Sequence, residues 1–208
     1  MRASAIANSR YCTRTAQIRP ITTHATMPAR AGLYSRGPNH RPPARARPHW
    51  RQRVSTTEAY LLDSIRLAME NVRERNTWPF GAVVVRDGKV LARAVNEVEA
   101  NCDPSAHAEM QAVRAASRAL GKPDLSGCTV YASGYPCPMC LSAMYLAGVK
   151  AVYYAYSNED GEPYDLSAER GYIELARPLE QREMTLAYVP ARDEGIDLYE
   201  AWREQQGQ

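Results

Sequence analysis

The sequence predicts a three-layer α/β/α domain on a mixed five-stranded sheet, preceded by a disordered N-terminal tail. Three observations carry this expectation. Segments of helical and strand period alternate along residues 55–208 in the order α-β-β-α-β-α-β-α-β-α, which calls for one sheet with helices on both faces. Charge divides at the same boundary. Residues 1–54 hold eleven Arg, no Lys and no acid, whereas residues 55–208 hold fifteen basic residues against all 23 acids, a net −8. The first 54 residues also lack any periodicity and are rich in Arg, Pro, Ser and Thr.

Within the domain, Thr56-Thr57-Glu58 reads as a helix start, followed by Leu61, Leu62, Ile65, Ala68, Met69 and Val72 at helical spacing. Phe80–Val85 is an apolar, β-rich run. Asp87-Gly88 then signals a hairpin, and Val90–Val95 returns as the second strand. Residues 106–120 read as a helix stopped by Gly121 and Pro123. Thr129–Ala132 is the third strand, Pro138–Ala147 a helix and Ala151–Tyr156 the fourth strand. A helix near Ser167–Leu175, a fifth strand at Met184–Val189 and a terminal helix over Ile196–Gln206 complete the domain. No apolar run reaches the length of a membrane span.

The tail fits an organelle-targeting peptide or a nucleic-acid-binding arm, since both use Arg without acids. It also fits an extension without function, with the protein proper starting near Met27 or just before Thr56.

Chemistry concentrates in a few residues. Of four His, only His107 lies in the domain. Of five Cys, Cys12 lies in the tail and Cys102, Cys128, Cys137 and Cys140 in the domain. Cys137-Pro-Met-Cys140 opens a helix, so both sulfurs turn toward one point, as zinc and redox sites both require. A redox reading has no use for the distant His107-Ala-Glu109. A structural zinc usually takes four protein ligands, and here the count stops at three unless Cys102 or Cys128 joins. Three ligands and an open position describe a catalytic zinc that binds water. Cys128, at the start of a buried strand, and Cys102 read as structural.

At His107-Ala-Glu109 and Pro136-Cys137-Pro-Met-Cys140 the chain resembles the cytidine/deoxycytidylate deaminase superfamily, whose signature is H-x-E followed by P-C-x-x-C. Asp103–Met110, Pro136–Leu141, Trp78–Val85 and the ending Leu198–Trp202 are most similar to its bacterial guanine deaminase branch. The resemblance spans roughly residues 57–203. It implies one Zn²⁺ per subunit on His107, Cys137 and Cys140, with Glu109 as the proton-transferring group. It further implies that the backbone N–H groups of Ala108 and Cys137 face the ring and that Asn96 hydrogen-bonds the base. A homodimer and a reducing cytoplasm are expected with it.

Two departures bear on the substrate. Tyr135 stands where the branch usually carries Glu, and Ser167 and Ala168 stand where it carries an acidic pair. The acidic, aromatic loop 156–164 is an expected substrate wall, with Tyr164 or Trp78 stacking on a flat ring. The expected reaction is hydrolytic deamination of a small base or nucleoside, with guanine to xanthine foremost and cytosine, guanosine or a related heterocycle behind it. The alternatives are tRNA adenosine deamination, which the acidic domain disfavours unless the tail supplies cations, and a zinc-stabilised binding protein without turnover.

Overall fold

A computed structural model describes residues 55–191 and 197–207. The tail expectation therefore lies outside the described residues, as does Ile196. The described chain divides after Ser167 into two compact units.

The first unit opens with α1 (Thr56–Arg75), capped by Ser55, whose side chain accepts from the Glu58 N–H. β1 (Gly81–Arg86) and β2 (Lys89–Val95) form the expected hairpin. Its turn residues Asp87 and Gly88 both have positive φ, 50° and 72°, the conformation a tight right-twisted hairpin demands. A short helix α2 (Val98–Asn101) precedes α3 (Ala108–Leu120). β3 (Cys128–Gly134), α4 (Pro138–Leu146) and β4 (Ala151–Tyr156) follow, then α5 (Asn158–Gly161) and a 3₁₀ turn at Glu162–Tyr164.

The sheet runs β2-β1-β3-β4, with β1 antiparallel to both neighbours and β3 parallel to β4. Its two faces follow the strand period of two. Ala82, Val84 and Val130 pack with Ala108, Ala112 and Ala116 of α3 and with Cys140 and Met144 of α4. Val83, Val85 and Tyr131 face the other way, against Tyr60, Leu61 and Leu67 of α1. This is the three-layer arrangement expected.

α1 lies unusually close to the sheet. A Cβ on Gly81 would sit 2.4 Å from the Ser64 carbonyl oxygen and 2.9 Å from the Ala68 nitrogen. The fully buried stripe of α1 is accordingly Ser64, Ala68 and Asn71, and the bulkier Leu62 and Met69 are partly exposed at its flanks.

The second unit carries α6 (Glu169–Ala176), a 3₁₀ turn at Leu179–Gln181 and α7 (Leu198–Gln205). The expected fifth strand is absent: Met184–Val189 is irregular, and Met184, Leu186, Tyr188 and Val189 are all exposed. The sheet therefore has four strands among the described residues. Alternating apolar residues give this segment strand propensity, but a strand exists only through its pairing, and the described residues of this unit hold no other strand to pair with. Among the described residues, no helix is long and apolar enough to cross a membrane.

Candidate active site

The register aligns Gly81 with Val95 and Ala82 with Ala132, so Phe80, Asn96 and Tyr135 emerge at one end of the sheet. The main chain ties this end to α3, since the Glu97 N–H donates to the Ala106 carbonyl at 2.9 Å. His107 is the N-cap of α3, with extended backbone (φ −63°, ψ 155°). Cys137 is the N-cap of α4, and Pro138 occupies the first helical position, where a missing N–H costs nothing. Cys140 lies one turn further on, on the same side of the helix as Cys137. Both helix N-termini add partial positive charge that favours a thiolate.

These elements bring the three expected ligands together. His107 Nδ1 lies 3.4 Å from Cys137 Sγ and 3.6 Å from Cys140 Sγ, and the two sulfurs are 3.5 Å apart. The last distance is far beyond the roughly 2.05 Å of a disulfide. A tetrahedral ion with Zn–S and Zn–N bonds of about 2.3 and 2.0 Å needs ligand separations of roughly 3.5–3.8 Å, so the trio fits zinc in spacing as well as in donor type. The Cys137 thiol is pulled down to about 4, chiefly by its contact with Cys140 and then by His107, against the opposing effect of burial. Cys128 is buried in β3, while Cys102 is exposed at the end of α2. Neither belongs to the trio.

Glu109 projects from the first turn of α3 and is 6% exposed. Its Oε2 lies 3.6 Å from Cys140 Sγ, beside the ligand set and not part of it. Burial, first among the causes, pushes its carboxyl above the ordinary carboxylate range.

Asn96 is 1% exposed. Its N–H donates to the Phe80 carbonyl at 3.0 Å, and its Oδ1 accepts from the Val98 N–H at 3.2 Å. The second bond sets the orientation of the amide, because only the oxygen can accept a proton from Val98. Nδ2 is left buried without a partner. Ala108 is also buried, and its N–H is among those a helix start leaves without an intrahelical acceptor.

Of the expected substrate wall, Tyr135 and Tyr164 line one cavity of 340 Å³ together with Met69, Phe80, Tyr156 and Asp160; Asn96, Glu109 and the three zinc donors are not among its lining residues. Trp78 is not among its lining residues and is 43% exposed. Tyr135 also packs edge-on against Tyr154, with centroids 4.9 Å apart.

Sequence reasoning passed over Phe80 and Asn71. A Cβ on Gly134 would meet the Phe80 ring at 2.9 Å, so that glycine makes the seat for the ring. The signal was a glycine just ahead of P-C-x-x-C. Asn71 marks itself as a polar residue on the sheet-facing stripe of α1.

Residues 55–156 match the cytidine and deoxycytidylate deaminase zinc-binding region. Guanine deaminase from Bacillus subtilis is 39% identical over 146 residues, 70% of this chain and 93% of that protein. A crystal structure of guanine deaminase from Bacillus subtilis superposes with a TM-score of 0.66 at 39% identity, covering 71% of this chain and 93% of that one. The tRNA-specific adenosine deaminase of Agrobacterium fabrum is 40% identical over 88 residues, 42% of this chain and 58% of that protein. With its zinc donor set assembled and its likeness extending along nearly the whole of one relative, this chain belongs to the cytidine and deoxycytidylate deaminase family of zinc-dependent hydrolases.

Proposed function

We propose that the protein converts guanine and water to xanthine and ammonia. The observation that carries this reading is the extent of the match. Likeness to a guanine deaminase runs over 146 residues, whereas likeness to the Agrobacterium tRNA deaminase covers 88.

His107, Cys137 and Cys140 would hold one zinc per subunit. When bound there, zinc polarises water and makes a nucleophile available near neutral pH. Glu109 is the proton carrier. Its carboxylate takes one proton from water and passes it to a ring nitrogen as the C–O bond forms; it then takes the second proton from the new hydroxyl and gives it to the amine, so that the C–N bond breaks, ammonia leaves and the carbonyl forms. Burial of Glu109 supports this role, because a carboxyl held above its usual range is a better base than an exposed one. Asn96 supplies a donor through Nδ2, so it selects a ring that presents an acceptor at that position. The N–H groups of Ala108 and Cys137 provide further donors. Tyr135, Tyr164 and Trp78 form the aromatic surroundings of the ring, a role supported for the first two by the cavity they share.

Residues 55–208 would act as the deaminase domain, with residues 1–54 as an appended tail. Two copies would pair, and the exposed Leu141, Tyr145 and Leu146 of α4 support an apolar face for this purpose. Two thiolate ligands suit a reducing cytoplasm.

Deamination of tRNA adenosine is the second reading. The net −8 over residues 55–208 opposes it, because phosphate contacts need Lys and Arg. Ammonia release from guanine, guanosine, cytosine, cytidine, adenine and adenosine by zinc-replete protein tests the proposal. A strong guanine signal is expected, and turnover of another ring with silence on guanine overturns it.

A further inference from the structure

We propose that Asn71 is a positioning residue that fixes Asn96 from α1; this rests on the reading of Asn96 as a substrate contact. Asn71 sits inside α1 and is 3% exposed. Its Nδ2 donates to two main-chain carbonyls, that of Asn96 at 3.0 Å and that of Trp78 at 3.2 Å. One amide thus joins the helix to both chains that flank the hairpin: the segment entering β1 and the segment leaving β2.

Asn96 is held at three points. Its N–H reaches Phe80, its Oδ1 receives Val98, and its carbonyl receives Asn71. The first two bonds lie within the hairpin and the turn after it, so they move with Asn96 as a body. Only the bond from Asn71 ties Asn96 to a separate element. The Val98 bond orients the Asn96 amide, and the tie from Asn71 fixes where that residue, and with it the free Nδ2, stands relative to α1.

Asn71 also carries a cost that packing alone does not require. Its Oδ1 is buried without a partner, and an apolar side chain of this size would fill the same place without burying an unpaired acceptor. The amide is accounted for by its two donated bonds.

The test compares Asn71→Leu with Ser64→Ala, a buried position on the same stripe whose hydroxyl bonds only back to the Leu61 carbonyl. In zinc-loaded full-length protein, Asn71→Leu is expected to raise KM for guanine about tenfold, the worth of one buried hydrogen bond, with kcat within about threefold. Ser64→Ala leaves KM unchanged. In an Asn96→Ala background, Asn71→Leu adds no further rise in KM. A full additional rise there overturns the proposal, because Asn71 would then act elsewhere. An Asn96→Ala variant with normal KM overturns the substrate reading of Asn96 and the proposal with it.

Amide hydrogen exchange gives a readout that needs no substrate. Asn71→Leu is expected to speed exchange at Asn96 and Val98 by about tenfold while zinc stays at one per subunit. Unchanged exchange overturns the positioning role. This arm separates a failure of the guanine reading, seen as a wild-type protein silent on guanine, from a failure of the Asn71 role. If Asn71→Leu does not fold, Asn71→Ala removes the same donor without added branching and is read in the same way.

Discussion

Glu109 Oε2 lies 3.6 Å from Cys140 Sγ, in contact with the zinc donor set while outside it. The helix start produces this relationship. His107 caps α3 with an extended backbone, and Glu109 is already in the first turn, so two residues of sequence turn the carboxylate back beside the ligands. A carboxylate this buried is costly unless a cation or hydrogen-bond donors accompany it or it takes up a proton.

Replacing Glu109 with Gln keeps the shape and removes the proton carrier. Zinc content and thermal stability should stay near wild type while kcat falls by roughly 10²–10⁴. Ammonia release measured beside metal analysis checks this. Turnover within tenfold of wild type excludes Glu109 as the proton carrier.

Removal of the metal should destabilise the fold. A ligand that binds only the native state stabilises it by RT ln(1 + [L]/Kd) and so raises the unfolding temperature. Chelated protein is therefore expected to unfold at lower temperature and to recover with added zinc. His107→Ala should hold less than stoichiometric zinc, and a full complement in that variant would show that the ligand set is wrong.

Gly81 is the tightest contact between α1 and the sheet. Gly81→Ala forces a Cβ against backbone atoms of Ser64 and Ala68, which cannot swing aside as a flexible side chain does. The expected cost is about 1–3 kcal/mol, read as a lower midpoint in denaturant titration. An unchanged midpoint would mean that α1 rides further from the sheet.

Gly134→Ala should act on substrate handling more than on stability. Its Cβ would push the Phe80 ring, and the ring lines the same cavity as Tyr135 and Tyr164. A rise in KM of about tenfold is expected. Kinetics equal to wild type would place that ring outside the substrate's reach.

Deleting residues 1–54 should leave deamination intact, since no expected ligand or proton carrier lies there. Steady-state rates of the truncated and full chains provide the comparison. Loss of activity in a folded truncation would bring the tail into the reaction.

Much of this protein was legible from residue patterns. His107, Glu109, Cys137 and Cys140 announce themselves because zinc chemistry needs particular side chains at helix starts, and spacing of two or three residues delivers them. The hairpin follows from Asp87-Gly88, whose positive φ values are what that turn requires. The four strands of the sheet and the alternation of Ala82 and Val84 against Val83 and Val85 also follow from local period.

Other features depended on contacts between distant segments. Local propensity promised a strand at Met184–Val189, but a strand is a pairing, and propensity supplies only one of its two sides. The burial of Asn71 in place of Met69 depended on how close α1 approaches Gly81. The direction of the free donor on Asn96 depended on Phe80, Val98 and Asn71 taking up its other bonds. Residue identity and short spacing thus determined the fold class and the metal chemistry, because both arise within a few residues of one helix or turn. The tertiary structure decided strand number, the packing of α1 and the aim of Asn96, because each is a relation between groups that meet only when the chain has folded.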